Sequence, residues 1–422
     1  MEWSPKKIFT PNGVYRFHVP ASKSMLNRAF LLAALQRRET FLHAGALSED
    51  TRTFLSCLRA LGITIEAREG GYFVKGEGKF PHRNADLNVG SAGTAARFLP
   101  VALAFLGGDY RIDASEQMKK RPMEILPLLA EAGVTITYEG SGTFPFRLQS
   151  EGIQRNELTV NTDISTQYAS GILLAATALD RPFTLHLTGS RTNGSYLRMT
   201  TEMIRSFGGK ITKSGDGITI IPAPEGAPAC PRDYFVEPDL SSAAYFYALA
   251  LLFRTKILVY GVHERTLQGD LRFLRLLQKK GVRLTDTEEG ILLDGTSVSS
   301  YSGFDENLCD YSDQALTVAV LASCASSPSV LRGIGHVKAQ ESNRIQAICE
   351  NLVTLGVPAQ SDGENVMITP APLRGGVVNS MGDHRVAMAF SLLALKTGNI
   401  TIAGAECSKK TFEGYFDILD EL

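Results

Sequence analysis

The sequence lacks several features that would indicate common classes of protein. Its 43 basic and 44 acidic residues leave a formal net charge of −1, whereas binding to nucleic acid requires a basic surplus. The longest apolar run, 243–253, falls short of the roughly 18 residues that a membrane-spanning helix needs. The N-terminal segment has no apolar core followed by a cleavage site, so no secretory signal is expected.

Cysteine is scarce, and its spacing excludes a disulfide framework. None of the six cysteines forms a C-x-x-C pair, which predicts reduced thiols in a cytoplasmic protein. These residues are Cys57, Cys230, Cys309, Cys324, Cys349 and Cys407. The seven histidines form no H-E-x-x-H motif, and no P-loop, G-x-G-x-x-G turn or G-x-S-x-G elbow occurs. We therefore expect neither a metal nor a nucleotide cofactor.

One pattern of helix, glycine and strand recurs along the chain. Each copy predicts an apolar helix that ends at a glycine, because glycine accepts the left-handed backbone conformation that terminates helices. The five glycines, spaced 71–75 residues apart, are Gly62, Gly133, Gly208, Gly281 and Gly356. Such regular spacing indicates one supersecondary unit copied several times.

A polar residue opens an apolar helix in each copy of this unit. The openings recur every 70–76 residues, at Ser24, Thr94, Ser165, Ser241, Asp313 and Asp383. The helices are apolar nearly all round, which predicts that they are buried beneath strands such as 218–221 and 291–293. We therefore predict an α/β fold of six units with helices inside and sheets outside, an inverted α/β barrel. A single core stops growing near 250–300 residues, so the units should divide three and three.

Basic residues stand beside several helix openings or in segments marked by glycine or proline. They are Lys23, Arg28, Arg97, Arg121, Arg344, Arg385, Lys409 and Lys410. A helix N-terminus attracts phosphate and carboxylate, but its dipole contributes only about 0.3–1 kcal/mol. Charge-assisted hydrogen bonds contribute about 1.5–3 kcal/mol each, so the basic residues favour a small polyanionic ligand. Helix capping remains the alternative for each serine, threonine or aspartate at a helix opening, and solvated surface charge remains the alternative for each basic residue alone.

Two carboxylates are candidates for proton transfer. Asp313 opens a predicted helix, and Glu341 precedes Arg344 by three residues, on the same face if that segment is helical. A carboxylate among cations stays ionised, which suits a base that accepts a hydroxyl proton. A cap for Asp313 and an ion pair for Glu341 remain open as the alternatives.

Seven motifs together resemble the 5-enolpyruvylshikimate-3-phosphate (EPSP) synthase family over essentially the whole chain. They are Pro20-Ala21-Ser22-Lys23-Ser24-x-x-Asn27-Arg28, Gly93-Thr94-Ala95-x-Arg97, Arg121-Pro122, Ser165-Thr166-Gln167, Glu341-x-x-Arg344, Asp383-His384-Arg385-Val386-Ala387-Met388 and Lys410-Thr411-Phe412. The resemblance implies transfer of the enolpyruvyl group of phosphoenolpyruvate to the 5-hydroxyl of shikimate 3-phosphate, without metal or organic cofactor.

The resemblance also implies two domains of three βαβαββ repeats each, closing over a cleft. One would comprise 1–17 plus 238–422, with mostly phosphoenolpyruvate-side residues. The other would be an inserted domain, 18–237, with mostly shikimate-3-phosphate-side residues. The expected partners are the two substrates alone, with no nucleic acid or membrane, and the protein is expected to be a cytoplasmic monomer.

The family's motifs assign roles to particular residues. Phosphoenolpyruvate would contact Lys23, Gly93, Arg121, Gln167, Arg344, Arg385 and Lys410. Shikimate 3-phosphate would contact Lys23, Ser24, Arg28, Ser165, Thr166, Gln167, Tyr196, Asp313 and Gln340. The catalytic residues would be Asp313, Glu341 and Lys23, with the division of proton transfers between the two carboxylates left open. Sensitivity to glyphosate, a competitor at the phosphoenolpyruvate site, is also expected.

One departure from the family pattern keeps other functions open. The family usually has lysine at the position of Gln340, and Lys338 is the nearest basic residue before it. Losing one charged contact weakens binding by roughly ten- to a hundredfold, so an enolpyruvyl transferase with a different acceptor and a non-catalytic anion-binding relative are alternatives. A transferase acting on a UDP-amino sugar fits less well, because no cysteine lies between Cys57 and Cys230.

Overall fold

The structure is a computed structural model that describes residues 1–140, 142–163, 165–222 and 231–422. Cys230, one of the cysteines expected to be reduced, lies outside the described residues, and the other five are free thiols. The chain divides into two compact units. We call them the terminal unit (Met1–Pro20 with Glu237–Leu422) and the central unit (Ala21–Val236). Both contain helices and sheets, so the expected α/β class is confirmed.

The helices of the central unit are α1 (Lys23–Ala34), α2 (Glu49–Ala60), α3 (Gly93–Leu106), α4 (Glu116–Lys119), α5 (Ile125–Glu131), α6 (Thr166–Ala176) and α7 (Ser195–Ser206). Those of the terminal unit are α8 (Leu240–Phe253), α9 (Leu271–Lys279), α10 (Ala315–Ser323), α11 (Arg344–Thr354), α12 (His384–Thr397) and α13 (Tyr415–Asp420). Shorter 3-10 helices span Cys309–Gln314, Gly335–Ala339 and Ala405–Lys410. Within the described residues, every helix is too short or too polar to traverse a bilayer.

The first strands are β1 (Glu2–Trp3), β2 (Val14–Phe17), β3 (Glu39–His43), β4 (Thr64–Arg68), β5 (Gly71–Lys75), β6 (Asn84–Asn88), β7 (Gly108–Asp113), β8 (Thr135–Tyr138), β9 (Phe146–Ser150), β10 (Glu157–Asn161), β11 (Phe183–Thr188), β12 (Lys210–Ser214), β13 (Gly217–Ile221) and β14 (Asp233–Phe235). The remaining strands are β15 (Lys256–Tyr260), β16 (Arg283–Asp286), β17 (Gly290–Asp294), β18 (Asp305–Asn307), β19 (Ser329–Arg332), β20 (Ala359–Ser361), β21 (Val366–Ile368), β22 (Gly376–Asn379) and β23 (Ile400–Ala403).

The described strands form six open sheets, and none of these sheets closes on itself. Three belong to the central unit, in the orders β14-β3-β5-β4, β6-β7-β9-β8 and β10-β11-β13-β12. The terminal unit has β16-β17-β15-β2, β18-β19-β21-β20 and the three-stranded β1-β23-β22. Each four-stranded sheet contains one parallel pair and two antiparallel pairs.

Helix α8 shows how an apolar sequence becomes a buried element. Every residue from 240 to 252 is buried, and α8 lies in one hydrophobic core with residues of α10 and α12. The hydroxyl of Tyr247 on α8 donates to the carbonyl of Ile291 on β17 at 2.9 Å. This bond satisfies a polar group that would otherwise be unpaired in the core. The predicted strands 218–221 and 291–293 are confirmed as parts of β13 and β17.

The glycines predicted to end helices adopt the expected backbone conformation. The φ angles of Gly62, Gly133, Gly208, Gly281 and Gly356 lie between 83° and 97°. In this region a side chain would be strained, so the prediction of five helix ends is confirmed.

Candidate active site

In the central unit, the start of α1 carries a paired lysine. Lys23 is the first residue of α1, and its Nζ lies 3.0 Å from Oδ2 of Asp50 on α2. The Asp50 carboxylate is only 3% exposed, so it is a nearly desolvated counter-ion. The side chain of Lys23 is itself 16% exposed, so this ion pair is not completely buried.

Arg28, one turn further along α1, is held by neighbouring helices. Its Nη1 donates to the carbonyl of Ser24 at 2.7 Å, and its Nε donates to Oγ1 of Thr200 on α7 at 2.8 Å. The guanidinium carbon lies 5.8 Å from the ring centre of Tyr196. Burial lowers the pKa of Arg28 to about 10, although the charge of Tyr196 opposes this effect. Arg28 is therefore a fixed cation at neutral pH.

At the start of α3, a side chain would crowd two arginines. A Cβ atom on Gly93 would lie 3.2 Å from Nη1 of Arg97 and 3.2 Å from Nη1 of Arg121. Glycine thus allows two guanidinium groups to approach the first turn of the helix. Arg97 is buried and donates to the carbonyl of Gly93 at 3.3 Å.

The start of α6 presents a buried amide. Ser165 caps this helix, since its Oγ accepts from the backbone N–H of Gln167 at 3.2 Å. Thr166 is the first residue of α6 and is buried. The Oε1 atom of Gln167 is buried and has no hydrogen-bond partner in the described part of the chain. A buried acceptor without a partner is costly, so it indicates a group that a ligand or water completes.

The central unit therefore contains nine of the residues expected to bind substrate. It brings Arg28 together with Ser24 and Tyr196, Gly93 with Arg121, and Ser165 with Gln167. The nine are Lys23, Ser24, Arg28, Gly93, Arg121, Ser165, Thr166, Gln167 and Tyr196.

In the terminal unit, Arg344 is the centre of one ionic network. It is 1% exposed, and each nitrogen of its guanidinium contacts a different carboxylate. Nη1 lies 3.0 Å from Asp313, Nη2 lies 2.9 Å from Glu341, and Nε lies 2.8 Å from Asp383. Burial disfavours the charged guanidinium, but Asp383, Glu341 and Asp313 outweigh this effect and raise the pKa of Arg344 above its usual value.

Two further cations and one amide complete this network. Arg385 lies 3.0 Å from the second oxygen of Asp313, and Lys410 lies 3.6 Å from the second oxygen of Glu341. Arg344 also donates to the amide oxygen of Gln340. The structure thus brings together all six expected residues of the terminal unit: Asp313, Gln340, Glu341, Arg344, Arg385 and Lys410.

Asp383 belongs to the Asp-His-Arg motif, but the sequence predicts for it only the opening of a helix and no role at the site. Its side chain is fully buried. One oxygen caps α12 by accepting from the N–H of Arg385 at 2.9 Å, and it also accepts from Nη2 of Arg344 at 3.4 Å. The other oxygen accepts from Nε of Arg344 and from Ser342. The sequence does show an acidic residue at a helix opening, directly before the basic pair His384-Arg385. No feature of the neighbouring sequence indicates that Asp383 contacts Arg344.

The structure answers two points about this network that the sequence left open. Glu341 and Arg344 do form an ion pair, but not on one face of a helix, because α11 begins only at Arg344 and a bend precedes it. Lys338, considered as a substitute for the missing lysine at Gln340, is 44% exposed and lies 4.0 Å from Glu364. Its described ion pair is therefore with a surface carboxylate.

Comparison with known proteins gives a consistent family. The profile of the family described as EPSP synthase (3-phosphoshikimate 1-carboxyvinyltransferase) matches residues 15–419. A 3-phosphoshikimate 1-carboxyvinyltransferase from Nostoc sp. is 33% identical, over 94% of this chain and 94% of that protein. The enzyme of the same name from Bordetella petrii is 35% identical, over 95% of this chain and 92% of that protein.

Solved structures have the same fold. An EPSP synthase from Acinetobacter baumannii superposes with a TM-score of 0.79 at 25% identity, covering 100% of this chain and 98% of that one. The enolpyruvyl transferase NikO from Streptomyces tendae gives a TM-score of 0.76 at 17% identity, covering 100% of this chain and 96% of that one. At that identity the second likeness concerns the fold alone.

Proposed function

Because the chain belongs to the EPSP synthase (3-phosphoshikimate 1-carboxyvinyltransferase) family, we propose how its residues share the work of that reaction. The chain is a transferase that moves the enolpyruvyl group of phosphoenolpyruvate to the 5-hydroxyl of shikimate 3-phosphate and releases phosphate. The observation that carries the residue assignment is the Arg344 network, which gathers the expected acids and cations of the terminal unit.

The charges of this network balance one another, so an anionic ligand has to displace internal partners of the cations. Asp313, Glu341 and Asp383 balance Arg344, Arg385 and Lys410. Lys410 Nζ is buried and makes no hydrogen bond within the described residues, so its N–H groups can serve a phosphate or carboxylate. We propose that phosphoenolpyruvate binds Lys410, Arg385 and Arg344, together with Lys23, Gly93, Arg121 and Gln167 of the central unit.

The residues of the central unit suit the acceptor. Arg28 and Lys23 are cations near helix starts, and Ser24, Ser165 and Thr166 add hydroxyl groups there. We assign the shikimate phosphate and ring to these residues with Gln167 and Tyr196, and the acceptor hydroxyl to Asp313. Gln340, which is neutral, completes the set of residues that we assign to shikimate 3-phosphate.

The chemistry divides between two acids. Glu341 transfers a proton to the methylene carbon of phosphoenolpyruvate, while Asp313 accepts the proton of the attacking 5-hydroxyl. The oxygen bonds to C2 and gives a tetrahedral intermediate. The methyl group so formed then returns one proton to Glu341, and the bond from C2 to the phosphate oxygen breaks, which restores the double bond and releases phosphate. Lys23, paired with buried Asp50, provides positive charge beside the departing phosphate and is the third catalytic candidate.

The finer architecture is also a proposal. Three four-stranded sheets in the central unit, and two in the terminal unit beside a three-stranded sheet, support six repeats divided three and three. The full burial of α8 and α10 supports helices inside and sheets outside. We propose domains at 1–17 plus 238–422 and at 18–237. The compact units, 1–20 plus 237–422 and 21–236, support this division. A cytoplasmic monomer stays a prediction.

A phosphate-release assay tests the activity and the site. We expect the chain to release phosphate when phosphoenolpyruvate and shikimate 3-phosphate are mixed, and Lys23→Ala and Glu341→Gln to lower kcat at least about a hundredfold. Lys279→Ala is the control, because Lys279 is 64% exposed and pairs with Glu306 at the surface. Unchanged turnover in both site variants would contradict the assignment. Release only with another acceptor would favour the alternative function, which the comparisons do not support.

Glyphosate gives a second test of the phosphoenolpyruvate site. We expect millimolar glyphosate to inhibit phosphate release in competition with phosphoenolpyruvate. Activity unaffected at that concentration would contradict the prediction.

A further inference from the structure

Asp270 is a buried carboxylate that no role assigned so far uses. It directly precedes α9 but its side chain does not cap that helix, and the residue is only 6% exposed. Its Oδ1 accepts a hydrogen bond of 2.6 Å from Nε2 of Gln314. A buried carboxylate bonded to a neutral amide rather than a cation is costly, so its presence needs an explanation.

The partner of Asp270 is the residue next to the proposed base. Gln314 is fully buried and ends the 3-10 helix Cys309–Gln314, which carries Asp313. Its Oε1 accepts from the hydroxyl of Thr317 at 3.2 Å, while its N–H group faces Asp270. The two ends of the amide therefore have different partners, so the side chain of Gln314 is locked in one orientation.

The segment that carries Asp313 needs such support. Tyr311 has φ −140° and ψ 41°, outside the helical region, so a regular helix does not hold this turn. Both oxygens of Asp313 must also stay in place, because one contacts Arg344 and the other Arg385, each at 3.0 Å. A small rotation of the turn would break one of these contacts.

We propose that Asp270 is a positioning residue for Asp313, acting through the locked side chain of Gln314. The inference rests on the proposed function, in which Asp313 accepts the hydroxyl proton. The charges that act on Asp270 agree with its position close to Asp313. After burial itself, the charge of Asp313 is the main cause that raises the pKa of Asp270 to about 6, with Gln314 and Arg385 opposing and Asp239 adding to the rise.

Kinetics of four variants test this role. Asp270→Ala removes the acceptor and should lower kcat by roughly 10–100-fold, because small misplacements of a catalytic group have effects of this size. KM for phosphoenolpyruvate should change much less, since Arg385 and Lys410 are untouched. Asp270→Asn keeps an acceptor oxygen and should recover most of the loss. Gln314→Met should match Asp270→Ala, and the double variant should be no slower than either single variant.

Two controls separate positioning from general destabilisation. Arg275→Met, also on α9, removes a surface pair with Glu264 and should leave kcat within about twofold. Amide hydrogen exchange at 309–314 should accelerate in Asp270→Ala but not in Asp270→Asn, whatever the activity. Three results would overturn the inference. The first is a wild-type kcat for Asp270→Ala, measured below the melting temperature of that variant. The others are a loss of kcat in the double variant equal to the product of the two single losses, and unchanged amide exchange at 309–314 in Asp270→Ala. A wild type that releases no phosphate contradicts the proposed function instead, and the exchange data still decide the inference.

Discussion

At the scale of single residues, Arg344 is a buried cation that pairs with three carboxylates of the terminal unit. Its planar guanidinium directs N–H groups along three edges, and a carboxylate lies within 3.0 Å on each of them. An ammonium group has no such geometry. A lysine at this position can neutralise one carboxylate closely but leaves the others buried with weaker compensation.

We therefore predict that Arg344→Lys lowers the free energy of unfolding by about 3–5 kcal/mol, the usual cost of breaking a buried ion pair. Urea denaturation followed by circular dichroism measures the change. The matched control is Arg332→Lys, which alters a pair with Asp305 whose two side chains are 49% and 66% exposed. That variant should stay within about 0.5 kcal/mol, and equal losses in the two variants would show that burial has no part in the effect.

Asp270 makes a second prediction at this scale, on how stability depends on pH. Burial first, and then the charge of Asp313, raise its pKa to about 6 in the folded chain, against about 3.9 when unfolded. The folded state therefore binds more protons between these values, so stability contributed by this residue falls as pH rises through that window. Above about pH 6 the carboxyl is ionised in the folded chain as well, and the full cost of burying its charge then lowers the stability.

Asp270→Asn should accordingly melt at a higher temperature than the wild type at pH 8. The advantage should shrink as pH falls towards 5, because the wild-type carboxyl then takes up its proton. Thermal denaturation at several pH values measures this difference. A constant difference across the range would contradict the prediction, since a packing effect does not depend on pH.

At the scale of secondary-structure elements, the start of α12 combines a cap with an ion pair. Asp383 accepts from the N–H of Arg385 with one oxygen and from Arg344 with the other. We predict that Asp383→Ala costs about 3–5 kcal/mol, because Arg344 loses a buried counter-ion. Asp383→Asn should cost less, since asparagine is also a good cap.

Asn343 provides the matched control for that prediction. It caps α11 by accepting from the N–H of Gln346 at 3.2 Å and is exposed. Asn343→Ala should therefore cost only about 1 kcal/mol, the usual value of a cap. Urea denaturation compares the three variants, and an Asp383→Asn variant as stable as the wild type would show that the carboxylate charge contributes nothing.

Helix ends and buried helices could be predicted from the sequence because their signals are local. Glycine at Gly62 or Gly281 needs only its own backbone conformation, and the apolar run of α8 needs only its composition. Cap positions were less predictable. Ala92, not Thr94, occupies the cap position of α3, and Asp239, not Ser241, caps α8.

The contacts of the site lay beyond local prediction for a physical reason. Arg344 and Asp383 are 39 residues apart, and Asp270 and Gln314 are 44 apart. No periodicity in the sequence relates such positions, since tertiary packing alone brings them together. The family motifs supplied the expected site residues, but they gave no partner for Asp270.

At the scale of the whole molecule, the central unit has the size and closure of an independent domain. Its 21–236 segment is continuous and falls within the usual range of about 50–250 residues for one domain. Its last strand, β14, pairs in parallel with β3 near the start of the unit. The first and last strands of the segment therefore lie side by side in one sheet.

We predict that the fragment 21–236 folds alone and melts cooperatively, whereas 21–222 is less stable. The shorter fragment lacks β14, so the edge of β3 loses its pairing and Phe207 loses a ring contact with Tyr234 at 4.9 Å. Three lost cross-strand positions at roughly 0.2–1 kcal/mol each, together with the ring contact, should lower the free energy of unfolding by about 1–4 kcal/mol. Circular dichroism and amide NMR spectra measure both fragments. Equal stability of the two fragments would show that β14 does not stabilise the central unit. Amide resonances of the fragment 21–236 that lack dispersion would show that this unit depends on the rest of the chain for folding.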